Sequence, residues 1–328
     1  MVSRRLNDVL KLVSRSFYLS LRYLPRLVQQ PLSLAYLLAR LTDTIADRGI
    51  VPLAIRMDLI VRLQQLFRTP NDLEFCNKTT ELLLEYAFYF KNSDVVLIEN
   101  SCVLFALLND QTFEHQRLIQ NVLDCIIEGQ LIDLRYFDAQ PGIVHFTTAE
   151  ALDNYVYYVA GSVGEFWTKL CCMSLPQYAN RDMDELLPYA ISFGKALQLT
   201  NILRDVSSDL ALGRCYLPCQ ETIQGDTPEL FMDKLVSISP SIMDQWREQA
   251  MHYLEDARCY IACITHRRVK FAALLPLLMA EKTLQLLHQQ PGFLHQSTMS
   301  TIKISRKQVY WSIGYALCLS YVPFVSLR

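Results

Sequence analysis

Gly194-Lys-Ala-Leu-Gln-Leu-Thr-Asn-Ile-Leu-Arg-Asp-Val-Ser-Ser-Asp209 decides how the chain is read. As a helix it sets Gln198, Asn201, Asp205 and Asp209 on one face, because steps of three, four and four follow the 3.6-residue period. Ala196, Leu197, Leu199, Ile202 and Leu203 fall on the other side and call for burial. Two carboxylates one turn apart repel by a few tenths of a kcal/mol on an isolated helix, so positive charge is expected above them. A second pair at the same spacing, Asp43 and Asp47, lies far upstream. Two such faces can confront each other across a helical cavity and hold divalent cations through oxygen. Magnesium keeps several waters and is completed by phosphates, so the pattern points to a diphosphate substrate.

The rest of the sequence fits a wall around that cavity. Its 328 residues are 51% hydrophobic, with 10 Gly and 13 Pro, and no low-complexity linker divides them. This predicts one all-α domain over 1–328, a helical bundle around a central channel. A net charge of −2 offers no footprint for nucleic acid. Ten cysteines without a Cys-x2-Cys pair or a signal peptide read as buried free thiols and a reducing, cytoplasmic compartment. Cys259, Cys263 and His266 are too few for a convincing metal site.

Helical spacing runs from Leu6 to Leu24, where Pro25 stops it. After Pro31 a helix over 32–47 carries Tyr36, Arg40, Asp43 and Asp47 on one face, with Arg40 placed to neutralise Asp43. Framework helices are predicted over 52–68, 72–91 and 94–109, and another over 112–138. Gly129, inside the last of these, costs up to about 1 kcal/mol relative to Ala and needs a packing or ligand-approach reason. Asp133, one turn on, reads equally as a cavity or a surface residue. Thr147-Thr-Ala-Glu150 reads as a capping box for a helix bearing Tyr155, Tyr157, Tyr158 and the small residues Ala160, Gly161 and Gly164, for which helix packing is the simpler explanation. The aspartate helix spans 186–210, and Leu212-Gly-Arg214 ends it. Helices near 241–264 and 268–288 follow. The basic run Lys303, Arg306, Lys307 is where an anionic cofactor would be sought. Residues 308–327 carry no charge but include Ser312, Gly314, Ser320 and Pro323. That favours a helix packed on the core, with a peripheral membrane contact left open, over a span.

Taken together, several of these stretches resemble the squalene/phytoene synthase family, the head-to-head trans-isoprenyl diphosphate synthases, and its squalene branch most. They are Ser14-Arg-Ser-Phe17, Tyr36-x3-Arg40-x2-Asp43-Thr-x2-Asp47, Gly129-x3-Asp133-Leu134, Tyr155-x2-Tyr158-Val-Ala-Gly161-x2-Gly164 and Gln198-x2-Asn201-Ile-x-Arg204-Asp205-x3-Asp209. Arg214, Phe271-x4-Pro276-x2-Met279-Ala280-x2-Thr283-Leu284 and Lys303-Ile304 follow in order. The resemblance implies an isoprenoid-synthase fold and a magnesium-dependent condensation of two farnesyl diphosphates to presqualene diphosphate. Reduction by NADPH to squalene would follow. It implies Asp43, Asp47, Asp205 and Asp209 as metal ligands, and Arg15, Arg40, Arg204 and Arg214 on diphosphate. Tyr155, with Tyr36 nearby, would handle the proton. Ser14, Phe17, Gln198, Asn201, Tyr158, Gly129 and Asp133 would border the substrate, and Lys303, Arg306 and Lys307 would meet NADPH. Ala46, Gln130, Tyr157 and Ser305 depart from the family pattern, and Ser305 interrupts the late basic motif. The alternatives are a sibling that stops before reduction or takes C20 substrate, and a non-catalytic protein of the same fold. Oligomeric state is not legible.

Overall fold

The computed structural model describes residues 9–13, 17–47, 49–218, 228–289 and 304–321. Ser14, Arg15 and Lys303, the side chain of Phe17 and the side chains of 228–241 lie outside the described residues.

The fold is all-α. Residues 9–13 are helical, then α1 spans Phe17–Tyr23 and α2 Arg26–Ala46. Next come α3 (Leu53–Arg68), α4 (Leu73–Glu85), α5 (Asn92–Glu99), α6 (Ser101–Asn109) and α7 (Phe113–Ile132). A π-turn at Asp133–Phe137 extends α7. α8 (Ala149–Val156), a second π-turn (Tyr157–Gly161) and α9 (Ser162–Ser174) form one broken rod. α10 (Met183–Ala211) carries the second aspartate pair, followed by α11 (Pro228–Cys263), α12 (Arg267–Gln289) and α13 (Arg306–Tyr321). The core is one connected cluster, with Leu37, Leu38, Leu41, Ile127, Leu170, Leu203, Leu254 and Leu274 nearly inaccessible.

Several predicted boundaries move. α2 begins at Arg26, not after Pro31, and α10 at Met183, before Pro188. Each proline is the sixth residue of its helix, just past the four N–H groups that lack a partner, so the packed fold carries the loss of an i→i−4 hydrogen bond there. The 94–109 run breaks at Asn100, whose side-chain amide donates to Val96 O. The capping residue is Thr148, one later than expected; its hydroxyl accepts from Ala151 N at 3.1 Å. Helix α11 starts at Pro228, well before 241.

Small residues set the spacing of the central rods. A Cβ on Gly194 would sit 2.1 Å from Ala160 O, and one on Gly164 would sit 2.0 Å from Ala190 O. α9 with its π-turn therefore packs against α10 at backbone distance, the packing reason that the sequence favoured. Gly213, at φ +80°, ends α10 in the left-handed conformation usual just past a helix C-terminus. It turns the chain into a strand the sequence did not predict. β2 (Arg214–Cys215) pairs in parallel with β1 (Val144–His145), Val144 opposite Arg214.

α13 lays Ser312, Ala316 and Ser320 on the core and leaves Tyr310, Trp311 and Tyr321 exposed. Among the described residues, no helix is long and apolar enough to cross a membrane.

A candidate diphosphate site at the head of an apolar channel

α2 and α10 turn their acidic faces to one cavity of about 1240 Å3, lined by Asp43, Asp47 and Asp209 together with Tyr36, Arg40, Asp133, Tyr155, Gln198 and Arg214. These carboxylates feel one another. Burial and the Asp43 charge push Asp47 up to about 7. Burial, then the charges of Asp205, Asp133 and Asp47, push Asp209 to about 7 as well. Among the described residues, no side chain donates a hydrogen bond to either carboxylate. Arg214 offsets part of this upward push on both and Arg40 on Asp47, but burial and the neighbouring acids prevail, and oxygen donors in that state are ones a hard divalent cation would complete.

The other acids have partners. Arg40 grips Asp43 and reaches the buried Asp94 at 3.5 Å, as the sequence anticipated for the first of these. Its Nε is buried without a partner, and so is Oε1 of Gln130 on the same cavity. Burial leaves such unpaired polar atoms costly, and both belong to residues of the cavity wall. No group of three Asp, Glu, His or Cys side chains among the described residues forms a closed metal cage. A magnesium ion there would have to be held by one or two carboxylates, with water and phosphate filling the rest of its shell. The same absence disposes of Cys259, Cys263 and His266 as a metal centre.

Asp133 belongs to the cavity, which settles the even choice left by the sequence. It accepts from Tyr155 Oη at 3.0 Å and from Tyr216 Oη at 2.8 Å. The two phenol rings stack at 4.9 Å. Burial and then the Asp133 charge raise Tyr155 well above the ordinary phenol range, so it stays protonated. Burial is also the main reason Asp133 rises to about 6. Both groups sit at π-turns, Asp133 opening the first and Tyr155 just before the second. Such one-residue insertions recur at functional sites. Tyr36 is also on the wall, but its hydroxyl donates to Val13 O at 3.3 Å.

Arg214 is held by the β-pairing and by Asp138, with Nε to Oδ1 at 2.9 Å and Nη2 to Oδ2 at 2.9 Å. Asp138 also receives Arg56 at 2.7 Å, and Arg56 donates to Ala46 O, within the first aspartate pair, and to Val51 O, just past it. Arg56, Asp138, Gln130 and Tyr216 were not chosen from the sequence. Only Tyr216 gave a hint, lying two residues past Arg214.

The remaining expected residues divide. Asn201, Arg204 and Asp205 line a second cavity of about 510 Å3 with Leu197, Pro276 and Ile304, and Arg204 clasps Asp205 with two nitrogens. Asp205 thus lines the neighbouring cavity, paired with Arg204, while its charge still acts on Asp209. Two other expected residues lie off both cavity walls: Gly129, where a Cβ would meet Val159 at 2.4 Å and which takes the packing role the sequence allowed, and Tyr158, beside it and Tyr157.

A third cavity, about 230 Å3, is almost wholly apolar. It shares Val159 and Val163 with the acidic cavity, and Leu197 and Pro276 with the second. Two polar mouths therefore abut one apolar pocket, closed by Trp167, Phe193 and Tyr260.

The basic run is described only in part, since Lys303 lies outside the described residues. Arg306 and Lys307 are exposed and line neither mouth. Ser305 is a cap: its hydroxyl accepts from Gln308 N at 3.3 Å while Gln308 Oε1 accepts from Ser305 N at 2.8 Å. This reciprocal pair begins α13, which explains the serine that interrupts the basic motif.

Comparison with known proteins bears on the family and the fold. The family described as squalene/phytoene synthase matches residues 10–308. The chain is 26% identical over 298 residues to squalene synthase ERG9 of Saccharomyces cerevisiae, covering 88% of this chain and 62% of that one. It is 25% identical over 304 residues to presqualene diphosphate synthase of Zymomonas mobilis, covering 92% and 88%. The solved structure of TcSQS with the ligand E5700 superposes at a TM-score of 0.77, with 21% identity over 97% of this chain and 86% of that one. The chain spans less than two thirds of the length of the first curated relatives it matches.

Proposed function

Since the chain belongs to the squalene/phytoene synthase family, we propose that it joins two farnesyl diphosphates head to head to give presqualene diphosphate. The observation that carries this reading is the confrontation of Asp43 and Asp47 with Asp209 in a cavity that shares its wall with an apolar pocket.

Asp43, Asp47 and Asp209, with Asp205 at the neighbouring mouth, would hold magnesium. When bound, the metal supplies charge that stabilises the departing diphosphate. Arg40 and Arg214 add fixed positive charge beside it, and such preorganised electrostatics is usually the largest catalytic contribution. Arg204 and Asn201 serve the second mouth, and Arg15 and Ser14 are assigned to diphosphate by the resemblance alone. The apolar pocket takes the prenyl tails and keeps water from the allylic cation.

The proton lost on cyclopropane closure has a relay. Tyr155 Oη can take it while passing its own proton to Asp133, 3.0 Å away. A carboxylate with a pKa of about 6 is matched to base work near neutrality. Tyr216 holds the other Asp133 oxygen and keeps the acceptor in place.

Completion to squalene requires a hydride, and Lys303, Arg306 and Lys307 remain its assigned NADPH contacts. The similarity to a presqualene diphosphate synthase over 92% of the chain supports a second reading, in which presqualene diphosphate is the released product. The test is incubation with farnesyl diphosphate and magnesium, with and without NADPH, followed by identification of the products. Presqualene diphosphate without NADPH supports the condensation, and its replacement by squalene on adding NADPH adds the reduction. Recovery of unreacted farnesyl diphosphate from both reactions would reject the proposal.

A further inference from the structure

Two of the cysteines do more than fill the core. Cys76, in the first turn of α4, and Cys102, in the first turn of α6, bring their sulfurs to 2.6 Å. That is nearer to the roughly 2.05 Å of a covalent bond than to an ordinary contact between thiols. Cys76 is fully buried and Cys102 partly accessible. The Cys102 sulfur also lies 3.3 Å from Asn77 Oδ1 and 3.5 Å from Thr80 Oγ1. Neither cysteine lines the cavities described above.

We propose that Cys76 and Cys102 form a reversible disulfide that straps α4 to α6. The partner is a low-molecular-weight disulfide of the glutathione type. Cys102, the accessible sulfur, loses its proton and attacks one sulfur of that molecule, whose S–S bond breaks and releases one thiolate. The Cys76 sulfur, its proton passed to water, then attacks Cys102 and expels the second thiolate. Two electrons pass from the protein to the small disulfide, and the protein loses two hydrogens. Burial, then contact with Cys102, pushes the Cys76 thiol up to about 12 in the dithiol, so Cys102 is the sulfur that attacks first. The strap closes a 26-residue separation that contains α5 and Asp94, the carboxylate 3.5 Å from Arg40. Closing such a loop restricts the unfolded chain and so stabilises the fold.

The full chain is incubated with oxidised glutathione, quenched in acid, denatured, treated with N-ethylmaleimide and digested without reductant. Mass spectrometry should recover the Cys76 and Cys102 peptides joined and two hydrogens lighter. The thermal midpoint should rise by on the order of 5 °C, and dithiothreitol should abolish both effects. Cys102→Ser, at the less buried position, should lose the joined peptide and the shift while folding normally. Recovery of both cysteines alkylated, or of Cys102 carrying glutathione alone, overturns the proposal. So does a thermal shift that survives in Cys102→Ser.

Discussion

Asp209 is the side chain whose loss separates a charge device from a structural one. Asn keeps its volume but cannot hold a cation with a full negative charge. Asp209→Asn should lower farnesyl diphosphate turnover at least about 100-fold, on the scale of removing one electrostatic stabiliser, with unchanged helical circular dichroism. Tyr155→Phe removes only a hydroxyl and should cost about 100- to 10,000-fold in turnover, the usual range for a proton-transfer group. Turnover within twofold of wild type would remove Tyr155 from the proton path. Asp133 makes a prediction about stability. Its folded pKa of about 6 stands above the ordinary 3.8, so between those values the native state binds more protons than the unfolded one. Stability from this group is therefore greatest below about pH 4, falls as pH rises toward 6, and then levels. Subtracting the thermal midpoint of Asp133→Asn from that of wild type, in chelator, should give a difference that declines over that window. A constant difference would show that Asp133 does not titrate as described. These residues also mark the limit of sequence reading. Asp43, Asp47 and Asp209 announced themselves by one-turn spacing. Arg56 and Asp138 are 82 positions apart, and a bond across such a separation leaves no pattern in the chain.

At the level of elements, most of what was legible came from periodicity and punctuation. Apolar spacing marked the rods, and Pro25 and Leu212-Gly213 marked their ends. What escaped depends on tertiary packing. The start of α2 ahead of Pro31 is anchored by Val28, which no solvent reaches, and a buried contact of that kind overrides a local breaker. The π-turns need one residue more than the helical period supplies, and nothing in Asp133–Phe137 or Tyr157–Gly161 advertises it. The contact between α9 and α10 was half legible, since the small residues were visible but their partner was not. Gly194→Val should test it, because a side chain there must displace Ala160 O, 2.1 Å from the added Cβ. Backbone cannot yield as a flexible side chain can, so the loss should reach or exceed the roughly 1–3 kcal/mol usual for overpacking. Chemical denaturation would measure it. A loss under about 0.5 kcal/mol would mean that the rods separate more easily than this packing implies. Arg56→Met probes the polar counterpart: it strands Asp138 with one partner fewer and frees two carbonyls, so a loss of roughly 3–5 kcal/mol is expected.

For the molecule as a whole, the position of the apolar pocket between two polar mouths makes chain length a property of its far wall. Trp167, Phe193 and Tyr260 close it. They answer differently to truncation. The Tyr260 hydroxyl lies 2.9 Å from Thr168 Oγ1 and 3.4 Å from Tyr178 Oη, so removing it leaves buried polar groups behind. Trp167 has a buried indole nitrogen with no hydrogen-bond partner, and its removal leaves none stranded. Trp167→Ala is thus the cleaner way to lengthen the pocket. A C20 substrate carries five more carbons than farnesyl, and a pocket shaped to the shorter chain rejects them sterically. The variant should raise kcat/KM for geranylgeranyl diphosphate relative to farnesyl diphosphate by at least about tenfold, since one methylene alone is worth about 1–3 kcal/mol in such a pocket. The acids and arginines at the mouths stay untouched, so farnesyl diphosphate should still be ionised. Competition between the two substrates, with products separated by chain length, gives the ratio directly. If the ratio does not move while the protein stays folded, the prenyl tails do not end against Trp167 and the pocket is not their seat.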